Sequence, residues 1–391
     1  MKKTLLLLSL FTSLITAAQK GHEIDASFMS GGVNRTYRLY VPLKYDSAHA
    51  TSVPLIMNFH GLGSTSTQQE SYGDFRKIAD TANFIVVQPQ GLVQSYIGQN
   101  GWNNFFAPAQ SAPDLNFTSS LIDTLKSQYN INLSRVYSTG MSNGGFMSYV
   151  VACQLSGRFA AVASVSGSMV STQLTPCHPQ HPMPLMEIHG TADSTVEYDG
   201  TGGIVTCTDI DSLIRYWVKF NHCSATPTID SLPNTNLTDG CRPVHYVYSG
   251  GTQGSSVEFY KIIGGSHSWP GAPLTATGTN EDFSASKEIW RFFNQQKSFV
   301  GIDEHTLNNT DFSIYPNPTN GAFTISISNT NSNKLSISVI DILGKEVFSF
   351  ADNNCTQVYN KQINLENVTA GIYFIRLCIG TDVKTKKLII Q

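Results

Sequence analysis

Between residues 35 and 298, short apolar runs alternate with longer stretches that are apolar on one face only. The runs Leu55–Phe59, Phe84–Gln88, Arg135–Thr139, Ala160–Val165, Pro184–Ile188 and Val257–Ile263 predict strands. Arg35–Val41 predicts an antiparallel strand at one edge. The intervening stretches predict helices over Gln68–Asn83, Asp114 to about Tyr129, Gly144–Leu155, Asp209–Asn221 and Ser284–Gln295. Strands alternating with helices imply an α/β fold, a mostly parallel sheet flanked by crossover helices.

After residue 298 the pattern changes. Residues 299–311 are polar and short of core-forming side chains, so they read as a linker. From Phe312 the apolar residues recur with period two, as in Phe323-Thr-Ile-Ser-Ile327 and Leu335-Ser-Ile-Ser-Val339, and turns fall at Pro316-Asn317-Pro318, Asn320-Gly321 and Ala370-Gly371. Short strands and turns of this kind predict a small all-β sandwich over 312–391.

The first residues change the picture from a general globular protein to an exported one. Met1-Lys2-Lys3, an apolar run from Leu5 to Ile15 and Thr16-Ala17-Ala18 have the layout of a cleaved leader, with cleavage near Ala18. A membrane anchor is the rival reading, but the run is short of the ~20 apolar residues a spanning helix needs. No other segment reads as transmembrane. The charged fraction of 14% and net charge of −3 give no strong field to draw nucleic acid. The 7 cysteines of an exported chain suggest disulfides, with Cys153–Cys177, Cys223–Cys241 and Cys355–Cys378 as plausible pairs and Cys207 left over. No His/Cys cluster has metal-ligand spacing, so neither a metal nor another cofactor is expected.

The candidate chemistry centres on Gly140-Met-Ser142-Asn-Gly144. This is a G-x-S-x-G pattern lying between a predicted strand and a predicted helix, where a sharp turn would project the serine hydroxyl above a sheet. The bland reading is a tight strand-to-helix turn with no catalytic role. A nucleophilic serine needs a base, and a base needs an orienting acid, later in the chain. His267, in the loop Gly264-Gly-Ser-His267-Ser-Trp-Pro-Gly271, follows a strand; Asp193, in Ile188-His-Gly-Thr-Ala-Asp193, follows another. Glu197 and Asp199 are rivals for the acid, further from the strand end. His189 and His60 read as structural histidines that hold their loops. Two oxyanion donors are expected from the backbone N–H groups of Asn143 and Leu62.

Taken together, His60-Gly61, Pro89-Gln-Gly91, Gly101-Trp-Asn103, Gly140-Met-Ser-Asn-Gly-Gly145, Phe159-Ala-Ala161, His189-Gly-Thr-Ala-Asp193 and Gly264-Gly-Ser-His-Ser-Trp-Pro270 resemble the esterases related to polyhydroxybutyrate depolymerases and to feruloyl and acetylxylan esterases. The resemblance covers nearly all of 19–298 and implies an α/β-hydrolase catalytic domain. One departure is Leu62, where many relatives have cysteine; the donor there is backbone. In the tail, Ser313-Ile-Tyr-Pro-Asn-Pro-Thr-Asn-Gly321, Asp341-Ile-Leu-Gly-Lys345, Gly371-Ile-Tyr-Phe374 and Lys387-Leu-Ile-Ile resemble the C-terminal sorting domain of the type IX secretion system. That resemblance implies export across an outer membrane, with release or attachment at the cell surface, and the secretion machinery as a partner. A carbohydrate-binding sandwich is the rival for the tail, though no row of Trp or Tyr suggests sugar stacking.

Trp102 and Trp269 fall in loops above the predicted strand ends and are candidate apolar walls for an aromatic acyl group, with loop packing as the equal alternative. No long insertion reads as a lipase lid. The expectation is an ester of plant cell-wall polysaccharide, feruloyl or acetyl, as substrate. Polyhydroxybutyrate is the alternative, and a non-catalytic surface binder on a hydrolase fold is the alternative from another class. Nothing in the sequence supports a peptidase.

Overall fold

The strand runs assemble into a ten-stranded sheet in the computed structural model, which describes residues 21–47, 51–95, 98–104, 113–201, 206–273, 277–297, 312–328, 335–341, 345–352, 358–365, 368–379 and 382–391. The leader and the linker expected from the sequence lie outside these residues. The chain divides into two compact units.

In the first unit, β1 (His22–Ser30), β2 (Val33–Val41), β3 (Val53–Phe59) and β4 (Ile85–Pro89) are followed by a small hairpin of β5 (Leu92–Gln94) and β6 (Gln99–Gly101) outside the main sheet. Next come β7 (Ile131–Met141), β8 (Ala161–Val165), β9 (Leu185–Gly190), β10 (Thr228–Asp230), β11 (Arg242–Tyr248) and β12 (Val257–Ile263). The sheet order is β1-β2-β4-β3-β7-β8-β9-β12-β11-β10. Strands β4 to β12 in that order run parallel, and antiparallel strands close both sides. Every residue of β3, β4, β8 and β9 is buried, because helices cover both faces of a parallel sheet and leave no polar side. The helices are α1 (Leu43–Ser47), α2 (Ser66–Tyr72), α3 (Arg76–Ala82), α4 (Asp114–Gln128), α5 (Asn143–Gln154), α6 (Ile210–Phe220) and α7 (Ala285–Gln295). This is the α/β-hydrolase fold.

Three expectations need correction. Residues 68–83 form not one helix but α2 and α3, broken at Gly73-Asp74. Asn58 Nδ2 donates to the Gly73 carbonyl at 3.0 Å, and the Asp74 carboxylate accepts from the Arg76 N–H at 2.8 Å. Side-chain competition for backbone groups stops one helix and starts another, and apolar spacing does not register it. Strand β2 is antiparallel as expected but not an edge, since β1 pairs along its whole length. Finally, Cys223 and Cys241 are both thiols. Cys223 Sγ lies 3.7 Å from the Ser255 carbonyl, before β12, whereas Cys241 packs against Gly264, after it. The seven residues of β12 separate them by about 20 Å, beyond the reach of a disulfide. Cys153–Cys177 does form, joining the end of α5 to the segment before β9. Cys207 is a buried thiol and Cys378 a half-buried one; Cys355, its expected partner, lies outside the described residues.

The second unit is all-β. Strands β13 (Phe312–Tyr315), β14 (Ala322–Ser328), β15 (Leu335–Asp341), β16 (Glu346–Asp352), β17 (Val358–Asn364), β18 (Gly371–Ile379) and β19 (Asp382–Ile390) form two antiparallel sheets, ordered β13-β14-β17 and β16-β15-β18-β19. Alternate residues such as Phe323, Ile325, Ile327, Ile337, Val339, Ile375 and Leu377 fill its own core, as period-two patterning requires.

Candidate active site

Ser142 stands between the last residue of β7 and the first of α5, with φ +56° and ψ −121°. A serine seldom adopts a positive φ, and it persists here because the surroundings over-determine it. The Ser142 N–H donates to the Val165 carbonyl at 2.8 Å, and its carbonyl accepts from the Phe146 N–H at 3.0 Å. Close approach of β3 explains the flanking glycines. A Cβ at Gly140 would lie 2.5 Å from the Phe59 carbonyl oxygen, and one at Gly144 only 2.0 Å from it. The turn therefore tolerates no side chain at either position, and the serine is lifted off the sheet at a helix N-terminus.

His267 follows β12 and Asp193 follows β9, so both sit at the same end of the parallel strands as Ser142, where α/β sheets bind ligands. Asp193 Oδ2 accepts from His267 Nδ1 at 2.8 Å, while Oδ1 accepts the N–H groups of Thr195 and Val196, both at 2.9 Å. Burial pushes the Asp193 carboxyl up, but the His267 hydrogen bond and charge, with help from His189 and the Val196 N–H, hold it below the usual carboxylate range. The rival acid Asp199 lies on the surface and is bound to Thr201; Glu197 also bonds Thr201. Ser142 and His267 line one cleft of about 340 Å³ together with Gly61, Leu62, Tyr72 and Trp269. Among the described residues no hydrogen bond joins the two side chains, a common state in sites without substrate, where such contacts tighten on binding.

The loop after β3 abuts the serine turn: a Cβ at Gly61 would lie 3.5 Å from Ser142 Cβ. The backbone N–H groups of Leu62 and Asn143 donate to no other group among the described residues, which leaves them available to an incoming oxygen. Buried His60 props this loop. Its Nδ1 bonds the Gly61 carbonyl at 2.7 Å, so Nδ1 carries the hydrogen and Nε2 accepts from the Gly91 N–H at 2.9 Å. Burial pulls His60 down to about 4, which keeps it neutral.

The two tryptophans part company. Trp102 is 0% exposed and does not reach the cleft; its indole N–H donates to the His60 carbonyl at 2.8 Å, and its backbone N–H to Asn143 Oδ1 at 2.7 Å. It is a loop-packing residue, not a wall. Trp269 is 2% exposed but lines the cleft, its indole N–H donating to Ser286 Oγ at 3.2 Å. Sequence reasoning did not single out Tyr72, Met141, Ala272 or Thr279, which also line the cleft. Tyr72 had no signal of its own, lying inside an amphipathic stretch. Among the described residues no cluster of His, Cys, Asp or Glu has the makings of a metal site, and no helix is long and apolar enough to cross a membrane.

Fold and geometry define an α/β-hydrolase domain that gathers a serine, a histidine and an aspartate at one end of its parallel strands. Residues 46–202 match the Phospholipase/Carboxylesterase family and residues 313–391 match the Secretion system C-terminal sorting domain. The α/β-hydrolase unit thus contains a segment similar to that esterase family, and the C-terminal unit matches a secretion sorting domain, which points to export by the type IX route. It is 27% identical over 264 residues to a bifunctional acetylxylan esterase/xylanase of Neocallimastix patriciarum, covering 68% of this chain and 34% of that protein. It is 29% identical over 225 residues to feruloyl esterase B of Piromyces equi, covering 55% and 40% respectively. The chain therefore spans between a third and a half of the length of these relatives. The fold is similar to that of an acetyl xylan esterase from Aspergillus awamori (TM-score 0.51, 15% identity, 71% of this chain and 99% of that one).

Proposed function

We propose that the protein is an exported serine carboxylesterase acting on feruloyl or acetyl esters of plant cell-wall xylan. The observation that carries the reading is Ser142 on a strained turn, in one cleft with a histidine whose Nδ1 is held by a buried aspartate. In the proposed reaction Ser142 Oγ attacks the ester carbonyl while His267 Nε2 takes its proton. The N–H groups of Leu62 and Asn143 stabilise the oxyanion, His267 protonates the departing alcohol, and water then hydrolyses the acyl-enzyme by the same route. Asp193 fixes the imidazole tautomer and supports its positive charge. The cleft volume suits one aromatic acyl group, and Leu62, Met141, Trp269 and Ala272 give it apolar walls. The name of one relative, an acetylxylan esterase/xylanase, favours xylan as the ester carrier, and that of the other favours a feruloyl acyl group.

The test is a substrate panel of p-nitrophenyl acetate, methyl ferulate, acetylated xylan and a polyhydroxybutyrate film. Turnover of methyl ferulate or acetylated xylan is expected. Hydrolysis of the film alone would move the substrate to hydroxyalkanoates, and inactivity on every arm would remove the esterase reading. Ser142→Ala and His267→Ala are each expected to lower kcat by on the order of 10⁴-fold or more with the fold intact. Asp193→Asn is expected to be severely impaired through the wrong tautomer; near-normal kcat would pass the acid's role to Glu197 or Asp199.

A further inference from the structure

Behind the Asp193–His267 pair lies a second ionisable pair that the proposed reaction does not use. Glu187 and His189 alternate on β9 and are fully buried. His189 Nε2 lies 2.9 Å from the Val196 carbonyl, an acceptor only, so Nε2 must carry a hydrogen. His189 Nδ1 lies 3.0 Å from Glu187 Oε1, and that contact also contains one proton. The proton belongs either to the imidazole, giving an ion pair, or to the carboxyl, giving a neutral pair.

We propose that Glu187 and His189 are an ion pair, and that the His189 imidazolium is a positioning group that fixes Asp193 as a carboxylate facing His267. Two contacts favour the imidazolium from outside the pair: Asp193 Oδ2 at 3.6 Å from Nε2, and the Val196 carbonyl. A third favours the carboxylate, since the Tyr149 hydroxyl on α5 donates to Glu187 Oε2 at 2.6 Å. Burial opposes both charges. For His189 it is outweighed by Glu187, Asp193 and Val196, and its affinity for a proton is raised; burial raises that of Glu187 too. The other groups facing the ring are Tyr198, 6.1 Å between centroids, and Lys261, opposite His189 on β12 with its ammonium over the Tyr198 ring. Tyr198 in turn bonds Asp211.

The consequence rests on the esterase reading. A positive charge behind Asp193 opposes the development of a second one on His267. Glu187→Gln is isosteric with a protonated Glu187 and keeps the bonds to Tyr149 and to a neutral His189. If the pair is ionic, the variant loses the imidazolium, and the acid limb of kcat/KM is expected to move up by about half a pH unit. An unmoved limb in a folded, active variant would mean that the pair is neutral and would overturn the proposal. The wild-type full chain gives an independent readout should the variant not fold. Nitrogen-15 NMR at pH 7.5 is expected to show a histidine with both ring nitrogens protonated whose signal is absent from His189→Gln, which separates it from buried His181, whose ring nitrogens both face carbonyl oxygens. A neutral ring there overturns the proposal even if the enzyme is active, whereas an inactive parent with an imidazolium at His189 overturns only the esterase reading.

Discussion

At the scale of single residues, Trp269 forms part of the cleft wall while Ser286 holds its indole, so its ring is in place before any substrate arrives. An aromatic contact contributes ~0.5–1.5 kcal/mol beyond its buried area. Trp269→Ala is therefore expected to reduce the preference for methyl ferulate over p-nitrophenyl acetate by roughly three- to tenfold, read as a ratio of kcat/KM values. Trp102→Ala, which removes a fully buried side chain, is expected to lower stability by about 3–5 kcal/mol and to leave that ratio unchanged; a changed ratio would return Trp102 to the cleft. His60 makes a prediction in pH. It is neutral when folded, titrating at about 4, but titrates near ~6.5 when unfolded. The unfolded chain thus binds more protons between these values, so this group's contribution falls as pH drops below 6.5, by up to about 2 kcal/mol at pH 5. Urea unfolding at pH 7.5 and pH 5 checks it: wild type is expected to lose more stability than His60→Gln, and equal losses would mean that His60 is charged in the fold. Ser142, Asp193 and His267 were legible in the sequence because each follows a strand of a recognisable run. The fate of Trp102 was not, because it depends on Asn143 and the His60 carbonyl, both about forty residues away.

Elements were legible where their apolar period was sustained. The expected Val257–Ile263 has the bounds of β12, and α4 to α7 lie within one residue of their predicted ends. The elements missed are those whose partners set them. Strand β1 exposes most of its residues at the sheet edge, and β11, Arg242-Pro-Val-His-Tyr-Val-Tyr, carries a proline and no clear alternation. The break between α2 and α3 is made by Asn58 from a different element. Of the three disulfides expected, one is formed among the described residues. Cys153–Cys177 closes a span of 24 residues, and restricting the unfolded chain over such a loop stabilises by about 3.5 kcal/mol in the chain-entropy model. The Cys153→Ala/Cys177→Ala variant is expected to unfold at correspondingly lower urea. Its kcat/KM on p-nitrophenyl acetate at 25 °C is expected to stay near normal, since neither cysteine lines the cleft. Unchanged urea stability would mean that the link is not formed in the exported protein.

At the scale of the whole molecule, each unit closes its own core. The hydrolase domain buries two clusters on either side of its sheet, and the sandwich buries Phe312, Phe323, Ile337, Leu388 and their neighbours between its own sheets. Every residue assigned a part in the proposed reaction belongs to the first unit, and the cleft is lined from Gly61 to Thr279. The proposed roles therefore all fall in one unit, which makes separation of the two a direct test of the architecture. Deleting residues 312–391 is expected to leave kcat/KM on p-nitrophenyl acetate within about twofold of the full chain, since every residue with a proposed part in the reaction lies in the first unit. Export should respond in the opposite way: the truncated chain is expected to remain inside the outer membrane of a host with type IX secretion, while the full chain reaches the surface or medium. Both readouts come from one pair of strains, by assaying esterase activity in periplasmic, surface and medium fractions. A large loss of activity in the purified truncation would assign the sandwich to the working enzyme, and normal export without the tail would take the sorting function away from it.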